Sequence, residues 1–251
     1  MIEYLMPNQI EKELKLANQK LLKPIKGTSL VELSLDNVAI VEAMIQNDSA
    51  YLKSADKKAI PRYNKKGKAV YAGSIAYWMT RLKEILVDKQ NIDKFEHIIA
   101  ETVCAVDREN STHLNADGKG REELVARICS LGRKGLLESL KRADHSLVEK
   151  IAEKTSAIKP RRNLSFASKF CHYACFYLFE RLPEQDNYSI CDNIVKKILP
   201  RYVEHYKLTS RNLECYKEYQ KTIDEIITKS HSKISRNGFD HLLWYYFKGR
   251  I

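Results

Sequence analysis

One stretch limits the architecture of this chain more than any other. Residues 163–179, NLSFASKFCHYACFYLF, contain a single charged residue, Lys169. On a helical wheel their apolar side chains point in nearly every direction, and a helix that is apolar all round belongs inside a fold. Such a helix must be wrapped by other elements. Apolar residues recur at helical spacing in Tyr71–Val87, Asn91–Val106, Arg121–Leu131, Gly135–Lys141, Ser146–Ile158, Ser189–Tyr206, Asn212–Lys229 and Phe239–Lys248. The 251 residues include only 9 Gly and 6 Pro, about half of average usage, and turn-rich sandwiches and barrels need more. The predicted class is therefore all-α, a multi-helix array.

Two segments are less decided. Residues 8–22 pattern as a weakly amphipathic helix. Residues 28–46 read as strand or helix, with Asp36–Asn37 placed to cap a helix from Val38 to Gln46. Trp78 with Tyr77, and Trp244 with Tyr245 and Tyr246, fall at helical spacing and are read as core in preference to base-stacking groups.

The polar, turn-forming run 107–120 (DRENSTHLNADGKG) predicts a boundary between an N-terminal helical region, 1–115, and a second region, 116–251. Within the first, the basic stretch Lys53–Lys68 around Pro61 and Gly67 reads as an exposed loop or linker. The balance of 43 Lys+Arg against 32 Asp+Glu, +11, favours a polyanionic partner. The N-terminus is charged within three residues and has no continuous apolar core, so no signal peptide is expected. No run approaches the roughly 18 apolar residues of a membrane span. The expectation is a cytoplasmic protein without a membrane partner.

The six cysteines (Cys104, Cys129, Cys171, Cys175, Cys191, Cys215) form no C-x-x-C pair, so no metal and no cofactor are expected, and reduced, buried thiols are. No P-loop, Rossmann fingerprint, H-E-x-x-H or serine-hydrolase elbow occurs, which removes the common nucleotide, metalloprotease and esterase readings.

Lys169 is the residue with chemistry. Burying an unpaired ammonium is expensive, and the positive end of a helix dipole near its start adds to the cost. Both effects favour the neutral amine that Schiff-base chemistry requires. The other reading is a buried stem whose head snorkels to solvent or to Glu180. His172, beside it on the wheel, either tunes the amine or is a hydrogen-bonded core histidine. Downstream, Asp192 in YSICDNI is either an ordinary helix N-cap or a carboxylate returned to Lys169 by a helix, loop and helix.

These residues resemble the helix-hairpin-helix DNA glycosylase superfamily, within it the 8-oxoguanine DNA glycosylase branch. That family's hairpin reads Gly-x-Gly-x-Lys, then an apolar helix, then an Asp. Here Ser165-Phe166-Ala167-Ser168-Lys169 takes the hairpin's place and Asp192 the aspartate's, and the closing FDHLLWYYFKG is similar to the family's Asp-x-x-x-Trp terminal helix. The resemblance spans roughly residues 121–251. It implies a helix-hairpin-helix element near residues 146–180 and a duplex DNA partner carrying a modified or damaged base. The target nucleotide would be flipped into a pocket. Lys169 would attack C1′ of the sugar to form a Schiff base that allows strand cleavage by β-elimination, an AP lyase step. Asp192 would stabilise the developing positive charge and help deprotonate the amine.

Ser165 and Ser168 would face the DNA in the hairpin, and Lys159, Arg161 and Arg162 before it would suit phosphate contacts. Lys196, Lys197 and Arg201 suit either phosphates or a solvated helix face. Two departures stand out. Ser165 and Ala167 replace the glycines that allow close backbone approach to a phosphate, and Arg181–Asn187 lengthens the path from Lys169 to Asp192. They leave open a catalytically inactive DNA-binding or phage-defence helical protein, and, more remotely, an interaction protein whose basic surface serves solubility. In a bacterial cell, a DNA partner would place the chain at the nucleoid.

Overall fold

A computed structural model describes residues 21–48, 60–63, 69–72, 74–110, 112, 114, 120–155 and 162–248. The class is all-α. Among the described residues ten α-helices follow one another: α1 (Leu35–Asp48), α2 (Ser74–Leu86), α3 (Phe95–Asn110), α4 (Gly120–Cys129), α5 (Gly132–Lys141), α6 (His145–Ala152), α7 (Leu164–Leu178), α8 (Asn193–His205), α9 (Tyr216–Lys229) and α10 (Arg236–Phe247). A short antiparallel ribbon, β1 (Ile60–Tyr63) and β2 (Ala69–Ala72), pairs Ile60 with Ala72 and Tyr63 with Ala69. The stretch read as a loop over 53–68 thus contains a strand, and its lysines lie outside the described residues; of the helix expected over 8–22, only Leu21 and Leu22 are described, and they are not helical.

The chain forms two compact units. The first comprises residues 1–48, 193–211 and 221–251, the second residues 49–192 and 212–220. The polar run 107–120 lies within the second.

In the first unit α1 packs on α10. The approach is close enough that a Cβ on Gly238 would sit 3.1 Å from Val38 Cγ1. Tyr202 of α8 lies against Phe239 with ring centroids 6.3 Å apart, and its hydroxyl donates to the Val31 carbonyl at 2.7 Å. Asn37 does not cap α1, which begins two residues earlier. It is buried, and its side chain holds the preceding turn, accepting from the Lys23 amide and donating to the Lys23 and Glu32 carbonyls.

The second unit is organised by α7. Eleven of its fifteen residues are buried, with α2 and α6 as its principal helical neighbours and α3 and α5 beside them. Phe166 and Phe170, one turn apart, stack at 6.2 Å. Full burial of such side chains stabilises by roughly 1.5–3 kcal/mol each, so α7 is held by its surroundings on all sides.

Helix α6 starts where Asp144 accepts the Ser146 amide at 2.9 Å. It ends at Ala152, six residues before the expected Ile158, because two groups satisfy its final carbonyls. The Arg127 guanidinium donates to Ile151, Glu153 and Lys154, and the Asn163 amide donates to Ala152 at 2.9 Å. Helices α6 and α7 pack together.

Between α3 and α4, the buried Asp107 organises the turn. Its carboxylate accepts from Thr112 Oγ1 (2.5 Å), the Leu114 amide (3.1 Å) and Arg121 Nε (2.8 Å). A Cβ on Gly120 would collide with the Leu114 carbonyl, so this turn closes only around glycine.

Candidate active site

Lys169 is the sixth residue of α7, and only 8% of it is exposed. Its amine is not a lone charge. Lys169 Nζ lies 3.5 Å from Asp192 Oδ2, with 10% and 17% of the two side chains exposed. The lysine head therefore meets a carboxylate of the same unit. Two opposite charges sheltered this way compensate each other's lost hydration, and removing one leaves the other stranded.

Asp192 reaches that position on an extended segment, not on the helix expected from Ser189. Helix α8 begins at Asn193. A buried segment outside helix and sheet must satisfy its backbone groups elsewhere, and side chains do so residue by residue. Gln220 Nε2 donates to the Asn187 carbonyl (2.9 Å), His172 Nδ1 to that of Tyr188 (2.8 Å), the Tyr216 hydroxyl to that of Ser189 (2.8 Å) and the Tyr219 hydroxyl to that of Ile190 (2.6 Å). The Cys191 amide donates to Ser168 Oγ at 2.9 Å. Ser168 precedes Lys169 and Cys191 precedes Asp192, so this bond sets the helix and segment positions that bring amine and carboxylate together.

Tyr216, Tyr219 and Gln220 fall at helical spacing, and the sequence pattern marks the tyrosines only as core. The signal available was their polar tips. Three consecutive face residues, each ending in a donor, suit a helix that packs on unpaired backbone.

His172 is the hydrogen-bonded core histidine. It is 2% exposed, its Nδ1 carries the proton toward the Tyr188 carbonyl, and its ring stacks on Phe176. Burial pushes the Cys171 and Cys175 thiols and the Tyr188 phenol well up, and the Tyr177 phenol up to about 12. Neutral, buried thiols of this kind are poor nucleophiles. All six cysteines are free, with Cys104, Cys129 and Cys215 only half-buried. Among the described residues no His/Cys/Asp/Glu group could hold a metal ion, and no helix is long and apolar enough to cross a membrane.

The residues assigned to DNA contact fare differently from one another. Lys159 and Arg161 lie outside the described residues. Arg162 is committed: its guanidinium pairs with Glu149 and donates to the Glu214 carbonyl, while Glu149 also accepts the Tyr216 amide at 2.8 Å. Ser165 is half-buried. Ser168 has no surface to offer a phosphate, being fully buried with its hydroxyl donating to the Ser165 carbonyl (3.2 Å) and accepting from Cys191. Its assignment as a DNA contact is corrected to a positioning role. In the first unit Lys197 and Arg201 are exposed, with Arg201 bonded to Ser29.

A family model described as HI_0787_N, N-terminal domain, matches residues 63–178, just under half of the chain. No curated protein matches the chain, and no solved structure does. The family match takes in α2 to α7 and with them Lys169, and it stops before Asp192.

Proposed function

We propose that the chain is a DNA glycosylase-like protein with AP lyase capability, acting on duplex DNA that carries a modified or damaged base. One observation carries this reading: a lysine amine and a carboxylate stand 3.5 Å apart in a largely water-sheltered site, the pair that amine-based attack at a sugar carbon needs. Asp192 takes the proton from Lys169 Nζ, and the freed electron pair attacks C1′ of an extruded nucleotide. The bond from C1′ to the base breaks, and its electrons leave with the base, which gains a proton. Ring opening, with a proton passing from nitrogen to O4′, yields the imine; loss of the C2′ proton to a base then forms the C2′–C3′ double bond as the 3′ C–O bond breaks and the phosphate leaves with its electrons. Asp192 then faces the positive charge at C1′ and nitrogen. A DNA partner agrees with the net charge of +11 and with a place in the cytoplasm, at the nucleoid in a bacterium.

Borohydride trapping on duplexes containing an abasic site or an oxidised base tests the reading. Wild type is expected to form a covalent adduct, Lys169→Gln none, and Asp192→Asn one that forms at least about 100-fold more slowly, the usual size of a lost general-base contribution. Undiminished trapping by Lys169→Gln removes the lysine from the role. The second reading, a DNA-binding or phage-defence protein without base excision, is favoured by the absence of hairpin glycines, Ser165 and Ala167 standing in their places. It predicts salt-dependent duplex binding with no adduct.

A further inference from the structure

A cavity of about 280 Å³ opens in the second unit between α2 and the turn that starts α3. It is separate from Lys169 and Asp192, and its walls combine two kinds of group. Trp78 supplies a flat apolar surface and is half-buried rather than core. Its ring neighbours, Tyr77 at 5.0 Å and His97 at 6.0 Å, both meet it at close to a right angle, 84° and 88°. Among the described residues no ring lies flat on the indole.

The second kind is cationic. The Arg81 guanidinium is steadied by Glu84 and lies 5.2 Å from the centre of the Tyr77 ring. That leaves most of its five donors directed elsewhere. Lys94 stands exposed on the opposite wall and meets no counter-ion among the described residues. With Glu84 set against Arg81, the site keeps a net positive charge.

We propose that this cavity binds a single nucleotide, its base stacked on Trp78 and its phosphate held by Arg81 and Lys94. Stacking on an aromatic ring together with phosphate capture by cations is the combination by which proteins hold individual nucleotides of a strand, and guanidinium groups suit phosphate geometry. The volume lies near the lower end of the range for small-molecule sites, roughly 300 Å³, which fits one ring system and one charged group. The same chemistry occurs in a free mononucleotide and in an unpaired nucleotide of a DNA strand. The proposal is independent of the lysine chemistry.

The experiment uses the full chain with Trp244→Phe, which leaves Trp78 as the only indole. Its fluorescence is titrated with dAMP, with deoxyadenosine, and with a short single-stranded oligodeoxyadenylate. Quenching by dAMP, weaker by deoxyadenosine, identifies a free-nucleotide site. Quenching by the oligonucleotide alone identifies a strand-borne nucleotide. In either case Arg81→Gln and Lys94→Gln should each weaken binding about tenfold, and Lys169→Gln should leave it unchanged. Lys94→Gln keeps the test valid if Arg81→Gln disturbs the fold. Absence of quenching by both ligands up to millimolar concentration overturns the proposal, as does quenching that neither cavity variant reduces. Loss of trapping at Lys169 with nucleotide binding intact, or the reverse, separates this proposal from the glycosylase reading.

Discussion

Asp107 and Asp192 are both sheltered carboxylates of the second unit, each facing a cation, yet they are held in opposite ways. Asp107 is 3% exposed and gripped by a hydroxyl, a backbone amide and a guanidinium at 2.5–3.1 Å. Asp192 keeps 17% of its side chain open and meets its lysine at 3.5 Å. The first arrangement is saturated and shapes a turn. The second rests on a longer contact and is less deeply buried.

The largest expected effect sharpens this contrast. Asp107→Ala strands the Arg121 charge and the Leu114 amide together and should cost about 3–5 kcal/mol. Asp192→Ala loses the longer 3.5 Å contact to Lys169 where Asp107 loses three shorter ones, and should cost less, about 1.5–3 kcal/mol. Denaturant unfolding measures both, and equal losses would erase the distinction. A smaller effect tests how Asp192 is placed. Ser168→Ala removes the hydroxyl that accepts the buried Cys191 amide, at about 1–2 kcal/mol, and should lower borohydride trapping although the residue touches no substrate. Unaltered trapping would show that the extended segment is held well enough by the other four contacts.

The smallest effect concerns pH. Burial raises the Cys171, Cys175 and Tyr188 ionisations in the folded chain, from ordinary values of 9.0 for the thiols and 10.0 for the phenol. The unfolded chain therefore loses these protons first, and stability that is complete below pH 9 falls as pH rises. The loss begins near pH 9, where the unfolded thiols ionise, and steepens above it. Denaturation midpoints between pH 7 and 10 report this, and Cys171→Ala with Cys175→Ala should flatten the slope. An equally steep slope in that double variant would place its origin elsewhere.

Much of this was readable from residue order. The apolar wheel of 163–179 required a central helix, and α7 is one, within a residue of the expected limits. Helices α2, α3, α4 and α10 likewise fall close to where their periodicity places them. Misjudged limits share a cause. The end of α6 depends on Arg127 and the Asn163 amide, and the start of α8 on a segment whose carbonyls find partners on α7 and α9. Capping and clamping groups come from residues distant in sequence, which a local pattern does not contain.

The site divides along the same line. Periodicity alone singled out Lys169 as the one charge in an interior helix, because burial on every face is a property of spacing. That Asp192 meets it, that Ser168 serves the backbone rather than a ligand, and that Arg162 is spent on Glu149 were settled only by packing. Helical repeats are written into neighbouring residues, whereas pairing across 23 positions depends on a path through space whose every turn is held by side chains from elsewhere in the chain.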